Sequence, residues 1–276
     1  MGGLKRGIAF LFTGFTQDAI DFLTDIRFNN NQAFYEANKA RYEEHVKAPL
    51  RALCDEMAPV VQLIDPRLDT RPGRTMSRIR RDTRFSRDKS PFRDHVWLGW
   101  RYPNERRSEG FGMYWGFGPD WIGWGCGCYA TDKPLMDALR LHIRRHPDEV
   151  REVLASPVLA RYTLYGESYH RIAVPDDVPE DLRSLYVRKG FGLEYNGDEE
   201  AWRQLRSHEM ADVLTAELNA MAPLQQLMQR MRQQAEHAQQ EQQREREAQQ
   251  RAALRGETEV KRPERLSVRT TDEFEF

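Results

Sequence analysis

The sequence predicts an α+β protein: one globular domain in which a small antiparallel sheet rich in glycine and aromatic residues is packed by helices, followed by a polar helical tail. Three observations carry this expectation. Apolar residues recur at helical spacing in segments before position 60 and again after position 130. Between Val96 and Tyr129 the texture changes to short aromatic runs of period two. Beyond Pro223 it changes again, and eleven of the 26 residues from Gln225 to Gln250 are glutamine.

Chain size and composition narrow the classes further. With 276 residues the chain is long enough to bury a core without disulfides or metal. Its three cysteines, Cys54, Cys126 and Cys128, are too few and too oddly spaced for a secreted disulfide framework, so a reducing, cytoplasmic setting is expected. No apolar run approaches the ~18 residues of a membrane span. A formal net charge of −1 provides no global field toward nucleic acid.

Residues 1–14 read as a disordered lead, since Thr13 and Gly14 interrupt its brief apolar stretch. Residues 15–222 form the expected domain. In its first helix Thr16 is placed as N-cap, Asp18 lies in the first turn, and Ile20, Leu23 and Ile26 form the apolar stripe. The asparagine run 29–31 ends it, and Asn31 caps a longer second helix through Met57 with a kink or break at Pro49. From Asp69 to Asp94 the helical period stops, and Pro72, Gly73 and Pro91 punctuate a loop and short strand.

The runs VWLGWRY, FGMYWGFG and WIGWGCGCY read as strands. Phe111, Met113, Trp115 and Phe117 alternate with glycines and Tyr114; Ile122, Trp124, Cys126 and Cys128 alternate with glycines in the next run. With a turn at Pro119-Asp120, a hairpin with one bulky core face and one glycine-lined face follows. Asp132 and Pro134 open another helix, Asp148–Ala155 a further piece, and 157–197 reads as irregular. Asp198 caps a helix through Ala220. Residues 223–255 form the glutamine-rich helical tail, in which Leu224, Met228, Met231, Ala235 and Ala238 begin a heptad seam that soon fades. It contributes few large apolar groups and is expected to be dispensable for folding. It is either a solvated helix or, through residues 224–255, a short coiled-coil site for a protein partner. Residues 256–276 read as disordered.

The segment from Ser77 to Arg93 stands out. Between Arg71 and Arg93 nine basic residues face two acids, Asp82 and Asp88. Guanidinium forks present paired donors that suit the paired oxygens of phosphate or carboxylate. On a strand, Arg78, Arg80, Asp82 and Arg84 would share one face, with Ile79 and Arg81 on the other. The segment also resembles the signature of the domain of unknown function 2461 family, R-I-x-R-D-x-R-F-S-x-D-K-S-P-Y-K, over Arg78–Arg93, with Phe92 in place of the tyrosine and Arg93 in place of the lysine. Phe22-Leu23, Asn29-Asn30, Asn38-Lys39, Tyr42, Pro49 and the glycine-rich hairpin add to the resemblance, which covers about residues 15–215. It implies one α+β domain in a bacterial cytosol and carries no activity with it.

Two functional readings remain open. One is a binding or enzymatic pocket for a small anionic or phosphorylated ligand built from Arg78, Arg80, Arg84, Lys89 and Arg93, with Asp82, Asp88 or Lys89 as acid–base candidates and Tyr114, Trp121 and Tyr129 as an aromatic flank if the arginines abut the glycine face. The other is a non-catalytic interaction protein that recruits a partner through its tail, with the arginines tied to Asp82 and Asp88 as a structural clamp. Nucleic acid is less favoured, because the two acids interrupt any phosphate-tracking stripe. No cofactor fingerprint, phosphate-binding loop or nucleophile elbow occurs. No metal is expected: Cys126-Gly127-Cys128 lacks a second pair, His142 and His146 lack a completing acid, and His208-Glu209 is followed by Asp212 where a second histidine would stand.

Overall fold

The computed structural model describes residues 11–103, 110–128 and 131–260. Most of the lead expected over 1–14 and of the C-terminus expected over 256–276 lies outside them. Residues 11–14, however, are not loose. Phe12 is fully buried edge-on to Phe15, 5.5 Å away. Gly14 has φ +105°, and a Cβ there would meet the Arg206 carbonyl carbon at 2.3 Å, so only glycine fits where the chain crosses residues 206–207.

Helix α1 (Gln17–Phe28) buries Ile20, Phe22, Leu23 and Ile26 as its spacing predicts. Asn31 caps α2 (Gln32–Ala37), its side chain accepting the Phe34 N–H. A short α3 (Lys39–Arg41) and a π-helical stretch (Tyr42–Lys47) then lead into α4 (Ala48–Ile64). Pro49, expected as a kink or break, stands just past the π-helical stretch, so the helical path continues through it but changes its hydrogen-bond register there. A single helical turn, α5 (Pro72–Thr75), follows.

The sheet has five antiparallel strands in the order β1-β2-β3-β5-β4. They are β1 (Val96–Trp100), β2 (Gly112–Phe117), β3 (Ile122–Gly127), β4 (Thr163–Tyr165) and β5 (Gly192–Asn196). Trp115 faces Trp124 across the expected hairpin, and Leu98 and Tyr195 continue that row on either side. Trp100, Trp115 and Trp124 are buried on this inner face, and Phe15 stacks on Trp115 at 5.9 Å. β4 and β5 lie inside the segment read as irregular. They are short, three and five residues, too few for the alternation of Leu193 and Tyr195 with Glu194 and Asn196 to stand out.

The glycine-lined face is covered by the sheet's own aromatic side chains. The Tyr165 ring lies 2.3 Å from where a Cβ on Gly192 would stand, and the Tyr114 hydroxyl donates to Glu194 at 2.8 Å.

After the hairpin come α6 (Lys133–Arg145), capped by Asp132, then α7 (Pro147–Leu154), a single-turn α8 (Arg183–Tyr186) and α9 (Glu199–Leu205), capped by Asp198. The helix expected from Asp198 to Ala220 breaks at 206–208 and resumes as α10 (Glu209–Val260). Pro223 lies inside α10, so the domain boundary expected at 222/223 is displaced. The chain divides into two compact units between Arg232 and Gln233. Leu224, Leu227, Met228 and Met231 are buried in the core of the first, which is why the helix outlasts its proline. Of the expected partner seam, Leu224, Met228 and Met231 are therefore used inside the chain. In the second unit residues 236–253 are exposed. Among the described residues no helix is long and apolar enough to cross a membrane.

Candidate functional site

The basic segment hangs from the edge of β1. Met76 bridges Leu98, and Ser77 and Trp97 exchange bonds, with the Ser77 N–H donating to the Trp97 carbonyl and the Trp97 N–H to the Ser77 hydroxyl. Further along, the chain folds back on itself: the Arg81 N–H donates to the Pro91 carbonyl and the Arg93 N–H to the Ile79 carbonyl, at 2.9 and 2.8 Å. Ile79 and Phe92 are buried and anchor the two limbs; the Phe92 ring stacks on Tyr35 at 4.5 Å. The intervening residues make a loop instead of a strand. Burial alternates from Ser77 to Arg84, yet Arg81, expected on the opposite face, lines the same cleft as Arg78 and Arg80.

That cleft has a volume of about 940 Å³ and is lined by Arg71, Arg74, Arg78, Arg80, Arg81 and Arg93, with Asp82 as its single carboxylate. Arg71 is held by Asp69, and Arg81 donates to Asp88. Arg93 lies over Trp97 and donates to the carbonyls of Arg78 and Arg80. Arg80 rests over the Phe92 and Tyr35 rings and donates to Gln32 at 3.0 Å. Among the described residues no carboxylate lies within ion-pair reach of Arg74, Arg78 or Arg80.

A second cavity of about 510 Å³ adjoins the first, sharing Arg81, Asp82 and Arg93 with it and adding Arg27, Asp88, Ser90, Asp94 and His95. A third, of about 440 Å³, shares Gly73, Arg78 and Arg80 and extends toward Lys47 and Arg51.

The sequence-derived site residues are thus divided. Arg78, Arg80 and Arg93 face the main cleft, whereas Arg84 and Lys89 line none of the three cavities. Arg84 turns back on Asp82, two residues before it, giving Nε and Nη2 to the two carboxylate oxygens. The same Asp-x-Arg clasp forms at Asp65–Arg67 and Asp69–Arg71. Lys89 donates to the Thr83 carbonyl. Arg84 holds the Asp82 carboxyl at about 2, and the Ser90 hydroxyl with Arg81 holds Asp88 below the usual carboxylate range. Carboxylates held so far toward ionisation are weakened as proton acceptors near neutral pH.

Of the aromatic flank, Tyr129 lies outside the described residues and Tyr114 is bonded to Glu194. Trp121 lies over Gly116 and Gly118, and its ring approaches His95 at 6.0 Å. Because His95 also stacks on Trp97 at 5.5 Å, the arginine cleft and the glycine face meet through Arg93, Trp97, His95 and Trp121. Arg71, Arg74, Asp94 and His95 are not among the site residues expected from sequence. The first two carry no signal beyond charge, but Asp94-His95 at the mouth of a strand is a visible polar pair.

His142 and Glu149, the acid that the helical histidines were expected to lack, are 2.8 Å apart, but Arg230 also contacts that glutamate. Among the described residues no group of three or more His, Cys, Asp or Glu side chains is placed to hold a metal ion.

No curated protein matches the chain. The family model of the conserved hypothetical protein DUF2461 matches residues 18–227, which hold most of the core, the sheet and the whole basic cleft. With well over half of its length matched, the chain belongs to the DUF2461 family of conserved hypothetical proteins.

Proposed function

We propose that this domain binds a small anion bearing a phosphoryl or similarly charged group in the arginine cleft. The observation that carries the reading is the convergence of Arg74, Arg78 and Arg80 on one concave surface with no carboxylate partner among the described residues. Like charges held together repel, and a bound dianion relieves that repulsion while accepting paired guanidinium donors. The cleft volume of about 940 Å³ suits a small molecule better than a polymer track. The three cysteines are buried free thiols, which supports a reducing, cytoplasmic setting.

Titration calorimetry with inorganic phosphate and with pyrophosphate, against chloride at matched ionic strength, tests the reading. Saturable binding near one ion per chain is expected. Heats no larger than those of chloride at millimolar phosphate would dismiss it.

A further inference from the structure

The second cavity contains a histidine held as catalytic imidazoles are held. Asp94 Oδ1 lies 2.8 Å from His95 Nδ1. Asp94 is itself fixed by Arg27, whose Nε donates to Oδ2 at 2.6 Å while its two terminal nitrogens fork onto Asp120. The imidazole stacks on Trp97 and borders Trp121, so its plane is set as well as its Nδ1 partner. With the carboxylate on the Nδ1 side, the favoured tautomer carries its proton there and leaves a lone pair on Nε2. Nε2 has no partner among the described residues, and His95 lines the cavity.

The position of this group relative to the arginines gives it a task. Arg81 and Arg93 line both cavities, so the cavity of His95 adjoins the cleft in which Arg74, Arg78 and Arg80 would hold a phosphoryl group. Arg93 and His95 both lie within 6 Å of the Trp97 ring. An oriented base therefore stands beside the place where guanidinium groups would steady the charge of a phosphoryl group in transfer.

We propose that His95 is the general base of a phosphate-ester hydrolase, with Asp94 as its positioning residue. This rests on the anion-binding reading of the cleft. A water oxygen attacks phosphorus and gives one proton to His95 Nε2. The bond from phosphorus to the ester oxygen breaks, and its electron pair leaves on that oxygen, which takes a proton from solvent. The imidazolium returns its proton to water. The products are inorganic phosphate and an alcohol, and no electron is transferred.

The test measures two things on the full chain, release of p-nitrophenol from p-nitrophenyl phosphate and thermal stabilisation by inorganic phosphate. Expected are turnover by the wild type, a loss of at least about 100-fold in H95A with phosphate stabilisation retained, and partial recovery of H95A activity on adding free imidazole. Recovery by imidazole separates a missing base from a disturbed structure. D94N should lower kcat and distort the pH–rate profile while leaving phosphate stabilisation intact. Should H95A lose its thermal transition, H95Q keeps the side-chain volume without the base and takes its place, judged by its loss of turnover alone. Phosphate stabilisation without turnover, or H95A as active as the wild type, overturns the hydrolase and leaves the anion site standing. Absence of both phosphate stabilisation and turnover removes the two together.

Discussion

The side-chain amide of Asn30 brackets the backbone of Phe92: it donates to the Phe92 carbonyl and accepts from the Phe92 N–H, both at 3.0 Å. One side chain thus supplies both halves of a strand rung and pins the returning limb of the basic loop to the end of α1. Replacing Asn30 with alanine should cost about 1–3 kcal/mol, the penalty for two backbone groups left short of partners. Asn30→Asp should cost more, because a carboxylate cannot donate to the carbonyl and repels it. Urea unfolding with amide exchange at Phe92 checks this, and unchanged exchange in Asn30→Ala would rule out the clamp.

A second buried contact sets a pH dependence. Asp65 is 4 % exposed. It accepts from the Tyr102 hydroxyl at 2.7 Å and from Arg67 through Nε, Nη2 and the backbone N–H. Burial pushes its carboxyl up, but the Arg67 and Tyr102 bonds outweigh burial and hold it at about 2. A carboxyl lowered on folding adds stability above its unfolded value, ~3.9, and loses it as pH falls toward about 2. The contribution at neutral pH is roughly 2 kcal/mol. Between about pH 5 and pH 2 the wild type should therefore lose more stability than Asp65→Asn. Parallel curves for the two proteins would contradict the assignment.

Two glycines should respond in opposite ways to alanine. At Gly192 the new methyl would lie 2.3 Å from the Tyr165 ring, which must leave its place over the sheet, at a cost of about 1–3 kcal/mol. At Gly73, in α5, nothing stands within 4 Å, and alanine reduces the entropy of the unfolded chain, for a gain of about 0.4–1 kcal/mol. Thermal midpoints moving the same way in both variants would refute the pairing.

Much of this fold is legible because its signals are local. The alternation in the two glycine-rich runs sets both the hairpin and its core face, and Asn31, Asp132 and Asp198 announce the helices they cap. What escaped depends on distant partners. β5 is a strand because it pairs with β3; its own sequence, GLEYN, alternates, but over only five residues and with no β-branched side chain to mark it. Pro223 marks an end by propensity, yet tertiary burial of Leu224, Leu227 and Met228 carries the helix past it. In the site, the charge excess is visible in sequence. The sorting of arginines into clasped and unclasped ones is only partly so: Asp82-Thr83-Arg84 has the clasp spacing, whereas the Arg81–Asp88 pair depends on the path of the loop.

The length of α10 leads to a truncation experiment. The core of the first unit is complete at Met231, so a chain ending at Arg232 should unfold near the full-length midpoint. A chain ending at Pro223 loses Leu224, Leu227, Met228 and Met231 together with the Gln225 bond to the Phe111 carbonyl. At about 2–5 kcal/mol for each buried side chain, the sum exceeds the stability of an ordinary domain, and this shorter chain should not fold. A cooperative transition in the chain ending at Pro223 would contradict the buried role of these residues.

The arginine cleft makes the sharpest distinction, because its members differ in what their removal leaves behind. Arg78 is exposed and has no carboxylate partner among the described residues, so Arg78→Ala strands no charge and relieves some repulsion from Arg74 and Arg80. Its basal stability should stay within about 0.5 kcal/mol of wild type. Its response to anions should not. A ligand that binds only the folded state raises stability by RT ln(1 + [L]/Kd), about 2.7 kcal/mol at a hundredfold excess over Kd, and losing one fork from the cleft raises Kd. Arg84→Ala serves as the contrast, since Arg84 is clasped to Asp82 and lines none of the three cavities. Urea unfolding of the three proteins, with and without millimolar phosphate at constant ionic strength, should show the phosphate effect kept in wild type and Arg84→Ala and weakened in Arg78→Ala. If Arg84→Ala loses the effect as fully as Arg78→Ala, phosphate acts on the general charge of the loop, and the cleft is not its site.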